Sequence, residues 1–191
     1  MVNNTPFTTK FQPIAHRGGA LEAQENSLQA FHHAAALGYH YMETDMQVSA
    51  DGEIYLFHDD RLERVSNGKG VFSDFKASEI DRLRLHNDEP IPRLADALAE
   101  LPDAIFNIDI KRANGTKPLA DFLSTHPQAE RVIAASFHKD RLALLKQLAQ
   151  KPVQVTAVQS DVIKLKFMGW GLPLSRPNII AAQVPLSHYG L

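Results

Sequence analysis

The sequence predicts an α/β protein, a mainly parallel β-sheet with helices packed outside it. Three observations lead there. Short apolar runs of strand length alternate with stretches of helical period along the chain. The helical stretches carry one apolar face each. No internal repeat or low-complexity tract interrupts the pattern. Alternation alone leaves two architectures open, a (β/α)8 barrel and a doubly wound open sheet.

The elements follow in chain order. A first strand is expected at Pro13–Ala15, a short apolar run ending at His16. A helix over Ser27–Leu37 opens after Asn26, a good N-cap residue, and stops at Gly38. Strands at Tyr41–Val48 and Ile54–Phe57 are joined by "SADGE", too short for a helical crossover. The gap from Phe57 to Ala104 is too long for one loop, and "RVSNGKGVFSDF" within it holds an Asn-Gly turn signal. Residues 59–90 are therefore expected as a small insertion over the end of the sheet, with too few apolar residues for a core of its own, although Ala77–Leu83 reads as a helix. Leu94, Ala97, Leu98 and Leu101 mark a helix at Leu94–Glu100, followed by a strand at Ala104–Ile110 and a helix at Leu119–Ser124. A strand at Val132–Ser136 precedes a helix at Lys139–Ala149, whose Leu142, Leu145 and Leu148 share a face. Val153–Val158 and Asn178–Val184 read as strands, with a weaker helix at Val162–Met168 between them.

Bulk properties narrow the function classes. The chain has 191 residues, 44% of them hydrophobic, which is enough for a proper core in one domain. Its formal net charge is −2, so no basic face argues for nucleic acid. It has no cysteine, which excludes disulfides, thiolate nucleophiles and cysteine-based zinc sites. No apolar run approaches the roughly 20 residues that span a bilayer. "MVNNTPFTTKFQP" lacks the basic end and apolar core of a signal peptide, so a cytoplasmic protein is expected.

The chemistry concentrates at strand ends. In "METDMQV", Glu43 and Asp45 are two apart in a strand and leave it on the same face. Two like charges side by side repel unless a cation sits between them or the face is solvated. A turn about Asp51-Gly52 would set Asp45 opposite His58. "NIDIK" repeats the pattern, with Asn107, Asp109 and Lys111 on one face. Oxygen ligands without cysteine favour Mg²⁺ or Ca²⁺. "AHRGG" ends the first strand, where the loops of α/β proteins carry their sites. Arg17 offers a planar fork suited to phosphate, and Gly18-Gly19 allow a sharp turn or a close approach. Two imidazoles, an arginine and a divalent-cation site together read as phosphoester chemistry, with one histidine taking a proton and the other giving one.

This ordered set resembles the glycerophosphodiester phosphodiesterase family, which is similar to phosphoinositide-specific phospholipase C in using a (β/α)8 barrel. The resemblance rests on His16-Arg17-Gly18 with Gln24-Glu25-Asn26-Ser27, on Glu43 and Asp45 with His58-Asp59, on "RLERVSNGKG", and on Asn107 to Lys111. It implies one TIM-type barrel domain over residues 1–191, with residues 59–90 as the small insertion after the third strand. It implies hydrolysis of a small glycerophosphodiester to glycerol 3-phosphate and an alcohol. Catalytic His16 and His58, phosphate contacts from Arg17 and Lys111, and a divalent cation, Mg²⁺ or Ca²⁺, at Glu43, Asp45 and Asp109 come with it.

Three positions depart from the family's pattern. Gln24 stands in place of a proline, and Asp109 in place of a longer glutamate. "AAQVPLSHYGL" resembles the family's seventh strand and the loop after it, so a barrel lacking its eighth strand is expected. Two alternatives accompany the main reading: lysophospholipase D-type activity on lysolipids, and a catalytically incomplete fragment that binds phosphodiesters.

Overall fold

The computed structural model describes residues 12–156. The strand expected at Asn178–Val184 and the helix at Val162–Met168 lie outside the described residues. The elements are β1 (Ile14–His16), α1 (Leu28–Ala36), β2 (Tyr41–Val48), β3 (Ile54–Leu56), α2 (Ala77–Ile80), α3 (Leu94–Glu100), β4 (Ile105–Ile110), α4 (Thr116–Thr125), β5 (Val132–Ala135), α5 (Lys139–Leu148) and β6 (Gln154–Val155).

Strand order separates the two architectures. The sheet runs β1-β2-β4-β5-β6, and each neighbouring pair is parallel. A doubly wound sheet reverses direction at a switch point. Here the order never reverses among the described residues, so each strand is laid beside the last, as in a (β/α)8 barrel. Helices α1, α3, α4 and α5 lie in the crossovers between successive parallel strands. β3 stands apart. It pairs antiparallel with β2 and lies off the parallel path, so it is a hairpin arm and not a barrel strand.

The pleat sorts the sheet into two faces. β2 is buried at all eight positions, as a parallel strand covered on both sides must be. Met42, Met46, Phe106, Ile108 and Ile110 join Phe31, Leu94, Leu98 and Leu119 in the main core, between the sheet and its helices. Phe31 of α1 meets Phe106 of β4 edge to face, with ring centroids 5.4 Å apart. The alternate residues of β2 and β4, including Glu43, Asp45, Asn107 and Asp109, point to the opposite face. One face is thus apolar and closed by helices, and the other is polar.

Four local expectations change. Ser27, not Asn26, caps α1: its hydroxyl accepts from the Ala30 amide at 3.1 Å. Asn26 takes a left-handed backbone, φ +56°, and turns its amide elsewhere. The β2–β3 hairpin pairs Met46 with Leu56, and the Phe57 amide donates to the Asp45 carbonyl at 2.9 Å. The register is one residue from the expected one, so Phe57 and not His58 stands opposite Asp45. Residues 59–90, expected as an insertion, do carry an apolar cluster: Leu62, Val65, Phe72, Ile80 and Leu85, with Ile91 just after them, pack on Tyr55 and Phe57. The count of apolar residues within 59–90 missed it because Tyr55 and Phe57 of the hairpin arm supply the missing surface. In α5, Leu142 and Leu145 are buried as expected, whereas Leu148 in the last turn is exposed.

Candidate active site

Parallel pairing carries the polar residues to one place. His16, the last residue of β1, is in register with Glu43 of β2. Glu43 is in register with Asn107, and Asp45 with Asp109, both on β4. Registered neighbours in a parallel sheet share a face, so His16, Glu43, Asp45, Asn107 and Asp109 project together toward the C-terminal ends of the strands. Glu43, Asp45, Asn107 and Asp109 are all buried.

Positive charge surrounds this acidic group. The Lys111 ammonium lies 2.8 Å from Asp45 Oδ1 and 2.8 Å from Asp109 Oδ2. Arg17 Nε lies 3.0 Å from Asp45 Oδ2, and the Arg17 amide donates to Glu43 Oε2 at 3.1 Å. Asn26 Nδ2 donates to Asp45 Oδ2 at 3.2 Å while Asn26 Oδ1 accepts from Thr44 at 2.7 Å. His16 Nε2 lies 3.7 Å from Glu43 Oε2.

The loop after β1 brings Arg17 to this position by an unusual backbone. Arg17 has φ +50° and Gly18 φ +74°. A Cβ on Gly18 would lie 2.7 Å from Phe31 Cδ1, so the loop presses directly on α1. Glycine answers both demands, a left-handed backbone and no side chain.

The charges shift ionisation as their surroundings dictate. Burial, reinforced by Asp45, pushes the Glu43 carboxyl up to about 7. Burial opposes the Lys111 charge, yet hydrogen bonds to Asp109 and Asp45 hold its ammonium above the usual lysine range. Burial lowers His16, and Arg17 lowers it further, which favours the neutral ring that can accept a proton.

His58 enters from the hairpin arm. Its Nδ1 is 2.5 Å from Asp59 Oδ1, and its carbonyl accepts from Gln47 Nε2 at 3.2 Å. Arg64 binds both Asp59 and Glu25, and Glu25 binds Arg17. His58 is therefore tied to the acidic group through Asp59, Arg64, Glu25 and Arg17. Sequence reasoning assigned no role to Glu25 or Arg64, and to Asn26 only that of a helix cap. All three lie within the quoted motifs, and those motifs were the available signal.

Among the described residues, no group of three or more His, Asp or Glu side chains is arranged to hold a metal ion. Lys111 is the cation between Asp45 and Asp109. The donor set nevertheless suits a hard cation. Asp109 Oδ1 and Asn107 Oδ1 are buried oxygens without a hydrogen-bond partner, Asp45 Oδ1 meets the Lys111 ammonium alone, and burial with Asp45 beside it pushes Glu43 toward its neutral form. Glu43, Asp45 and Asp109 are the residues that could hold such an ion. No helix among the described residues is long and apolar enough to cross a membrane.

Known proteins share this chain's sequence pattern and its fold. The model of the glycerophosphoryl diester phosphodiesterase family matches residues 16–166. A probable glycerophosphodiester phosphodiesterase 2 of Mycobacterium tuberculosis is 33% identical over 145 residues, covering 75% of this chain and 55% of the relative. A glycerophosphodiester phosphodiesterase of Caldanaerobacter subterraneus is 31% identical over 150 residues, covering 71% of this chain and 62% of the relative. The chain thus spans little more than half the length of these curated relatives. Among solved structures, an Oleispira antarctica phosphodiesterase in complex with the product sn-glycerol-3-phosphate superposes with a TM-score of 0.69 at 25% identity, over 83% of this chain and 72% of that one. A glycerophosphodiester phosphodiesterase from Agrobacterium tumefaciens gives 0.70 at 27% identity, over 78% and 67%.

Proposed function

The chain belongs to the glycerophosphoryl diester phosphodiesterase family, and we propose from that premise that it hydrolyses a glycerophosphodiester to glycerol 3-phosphate and a free alcohol. The single observation that carries the reading is the grouping of His16, Arg17, Glu43, Asp45, Asp109 and Lys111 at the C-terminal ends of adjacent parallel strands. In barrel enzymes that end carries the chemistry.

The step needs a water oxygen to attack phosphorus and the P–O bond to the alcohol to break. One imidazole of the pair His16 and His58 takes the proton of the attacking water. The other returns a proton to the departing alkoxide. The neutral ring favoured at His16 fits the accepting role. Asp59 holds Nδ1 of His58, which leaves Nε2 for the substrate. Arg17 spends Nη1 on Glu25 and turns Nε toward Asp45, so Nη2 remains for a non-bridging phosphate oxygen. Lys111 adds charge beside it. Glu43, Asp45 and Asp109 would hold a divalent cation, Mg²⁺ or Ca²⁺, and when bound that ion supplies Lewis-acid neutralisation of the phosphate.

A lysolipid is the second substrate class. The observation in its favour is Phe137, 81% exposed, whose ring lies 5.9 Å from Lys111 Nζ and offers apolar surface beside the site. The test is release of glycerol 3-phosphate from glycerophosphocholine, measured with Mg²⁺, with Ca²⁺ and with a chelator, alongside lysophosphatidylcholine. Turnover that the chelator abolishes and that His16→Ala or His58→Ala removes supports the reading. Absence of glycerol 3-phosphate under every metal condition refutes it.

A further inference from the structure

Arg64 lies in the insertion, outside the sheet that carries the acidic group. Its guanidinium has few donors to spare. Nη1 donates to Glu25 Oε2 at 3.1 Å, Nη2 to Glu25 Oε1 at 2.5 Å and to Asp59 Oδ1 at 3.1 Å, and Nε donates to Asp59 Oδ2. One planar fork therefore occupies every oxygen of two carboxylates.

Those carboxylates lead in opposite directions. Glu25 accepts from Arg17 Nη1 at 3.2 Å on both oxygens. Asp59 Oδ1 holds His58 Nδ1 at 2.5 Å. Arg17, Glu25, Arg64, Asp59 and His58 form one string in which positive and negative groups alternate.

We infer that Arg64 is a positioning residue that fixes Arg17 and His58 relative to one another, so that the insertion completes the active site. The inference rests on the phosphodiesterase reading above, in which Arg17 holds the phosphate and His58 moves a proton. Arg64 is not a phosphate ligand itself, because its donors are taken by Glu25 and Asp59. Nor is it an ordinary surface ion pair. Such pairs hold one flexible side chain to another and matter little. Arg64 is bidentate on both sides, and each partner goes on to hold a residue of the site. Without it, two carboxylates face each other with no cation between them and part, taking Arg17 and His58 with them.

The test uses the full chain with its divalent ion, comparing R64Q with R112Q. Arg112 pairs with Asp60 and ties the same insertion down without touching Glu25 or Asp59. For R64Q, kcat on glycerophosphocholine is expected to fall by about 10²-fold, the cost of misplacing reacting groups by about 1 Å, with KM raised through Arg17. R112Q is expected to keep its kcat. In ¹⁵N NMR of the histidine rings, the His58 Nδ1 resonance moves in R64Q and stays in R112Q. E25Q is the second variant. It cuts one arm of the string while leaving Arg64 on Asp59, and it moves the same resonance if the string is coupled. The inference is overturned if R64Q keeps the wild-type kcat and His58 resonance, if R112Q loses as much as R64Q, or if E25Q leaves His58 unmoved. A wild-type chain without turnover counts against the phosphodiesterase reading instead, and the His58 resonance then decides this inference by itself.

Discussion

Lys111 Nζ stands between Asp45 Oδ1 and Asp109 Oδ2, 2.8 Å from each. Lys111 follows directly on β4, and its charge returns to the acidic face formed by β2 and β4. It is the cation that lets two buried carboxylates sit in register on neighbouring strands. Like charges so placed are otherwise destabilising.

Lys111→Met should therefore lower stability, because it leaves Asp109 buried without its cation and Asp45 with Arg17 and Asn26 alone. Breaking a buried pair in this way costs about 3 kcal/mol, or about 6–12 °C in Tm for a domain of this size. Added Mg²⁺ or Ca²⁺ should recover part of the loss, since a divalent ion can take the place of the ammonium. Thermal melts with and without the ion measure both effects. A variant that melts with the wild type in the chelated state would show that the carboxylates do not need the lysine.

Gly18→Ala should damage stability and site together. Alanine at φ +74° pays a left-handed backbone strain of about 1–2 kcal/mol. Its Cβ would also lie 2.7 Å from Phe31 Cδ1, and Phe31 is wholly buried against Phe106. The ring has nowhere to go, so the loop must lift and carry Arg17 away from Asp45. The measurable outcome is a lower Tm with a raised KM. Gly19→Ala makes the comparison, since a Cβ there meets nothing within 4 Å.

How much of this was legible beforehand follows from the range of the interactions. The residues of the acidic face could be read because strand period alone puts Glu43 with Asp45 and Asn107 with Asp109 on one side. Helix α3 could be read from the spacing of Leu94, Ala97, Leu98 and Leu101, all of which are buried. The hairpin register could not, because a shift of one residue changes no local propensity, and only the pairing of Met46 with Leu56 decides it. The role of Asn26 was hidden for a related reason. Asn and Ser cap helices equally well, so the sequence does not say which of Asn26 and Ser27 caps α1 and which is free to reach Asp45. Lys111 was assigned to phosphate; it shares a face with Asp109 by strand period, but its salt bridge to Asp45 appears only when β2 and β4 are set side by side. The apolar cluster of the insertion depends on Tyr55 and Phe57, which local counting assigned to the sheet.

Stability of the insertion should depend on acid. Hydrogen bonds from Arg93 hold the Asp81 carboxyl below its usual range, and Tyr55 Oη donates to it at 2.7 Å. A carboxyl whose folded pKa is depressed adds stability above its unfolded pKa of about 3.9 and loses it as pH falls through the folded value. Asp81→Asn should therefore lower Tm at neutral pH by a small amount, less than about 1 kcal/mol for so exposed a pair. The gap between variant and wild type should close toward pH 3. Melts at the two pH values check it, and a gap independent of pH would assign the effect to packing instead of charge.

The apolar cluster of the insertion should in turn govern His58. Phe72 is fully buried, with its ring 5.0 Å from Phe57 and 5.7 Å from Tyr55. Truncating a buried phenylalanine costs about 3–5 kcal/mol. Here the cavity would open beneath the hairpin arm that ends in His58. Phe57 is the link, because its amide donates to the Asp45 carbonyl at 2.9 Å while its ring rests on Phe72. Phe72→Ala is expected to speed hydrogen exchange at the Phe57 amide and to lower kcat more than KM, since His58 moves while Arg17 and the acidic face stay on the sheet. A core truncation on the far side of the sheet, Leu119→Ala, provides the contrast: it should lower Tm comparably and leave the Phe57 amide protected up to global unfolding. Equal exchange at Phe57 in the two variants would mean that the insertion and the sheet unfold as one cooperative unit, and that His58 owes its position to the whole fold and not to Phe72.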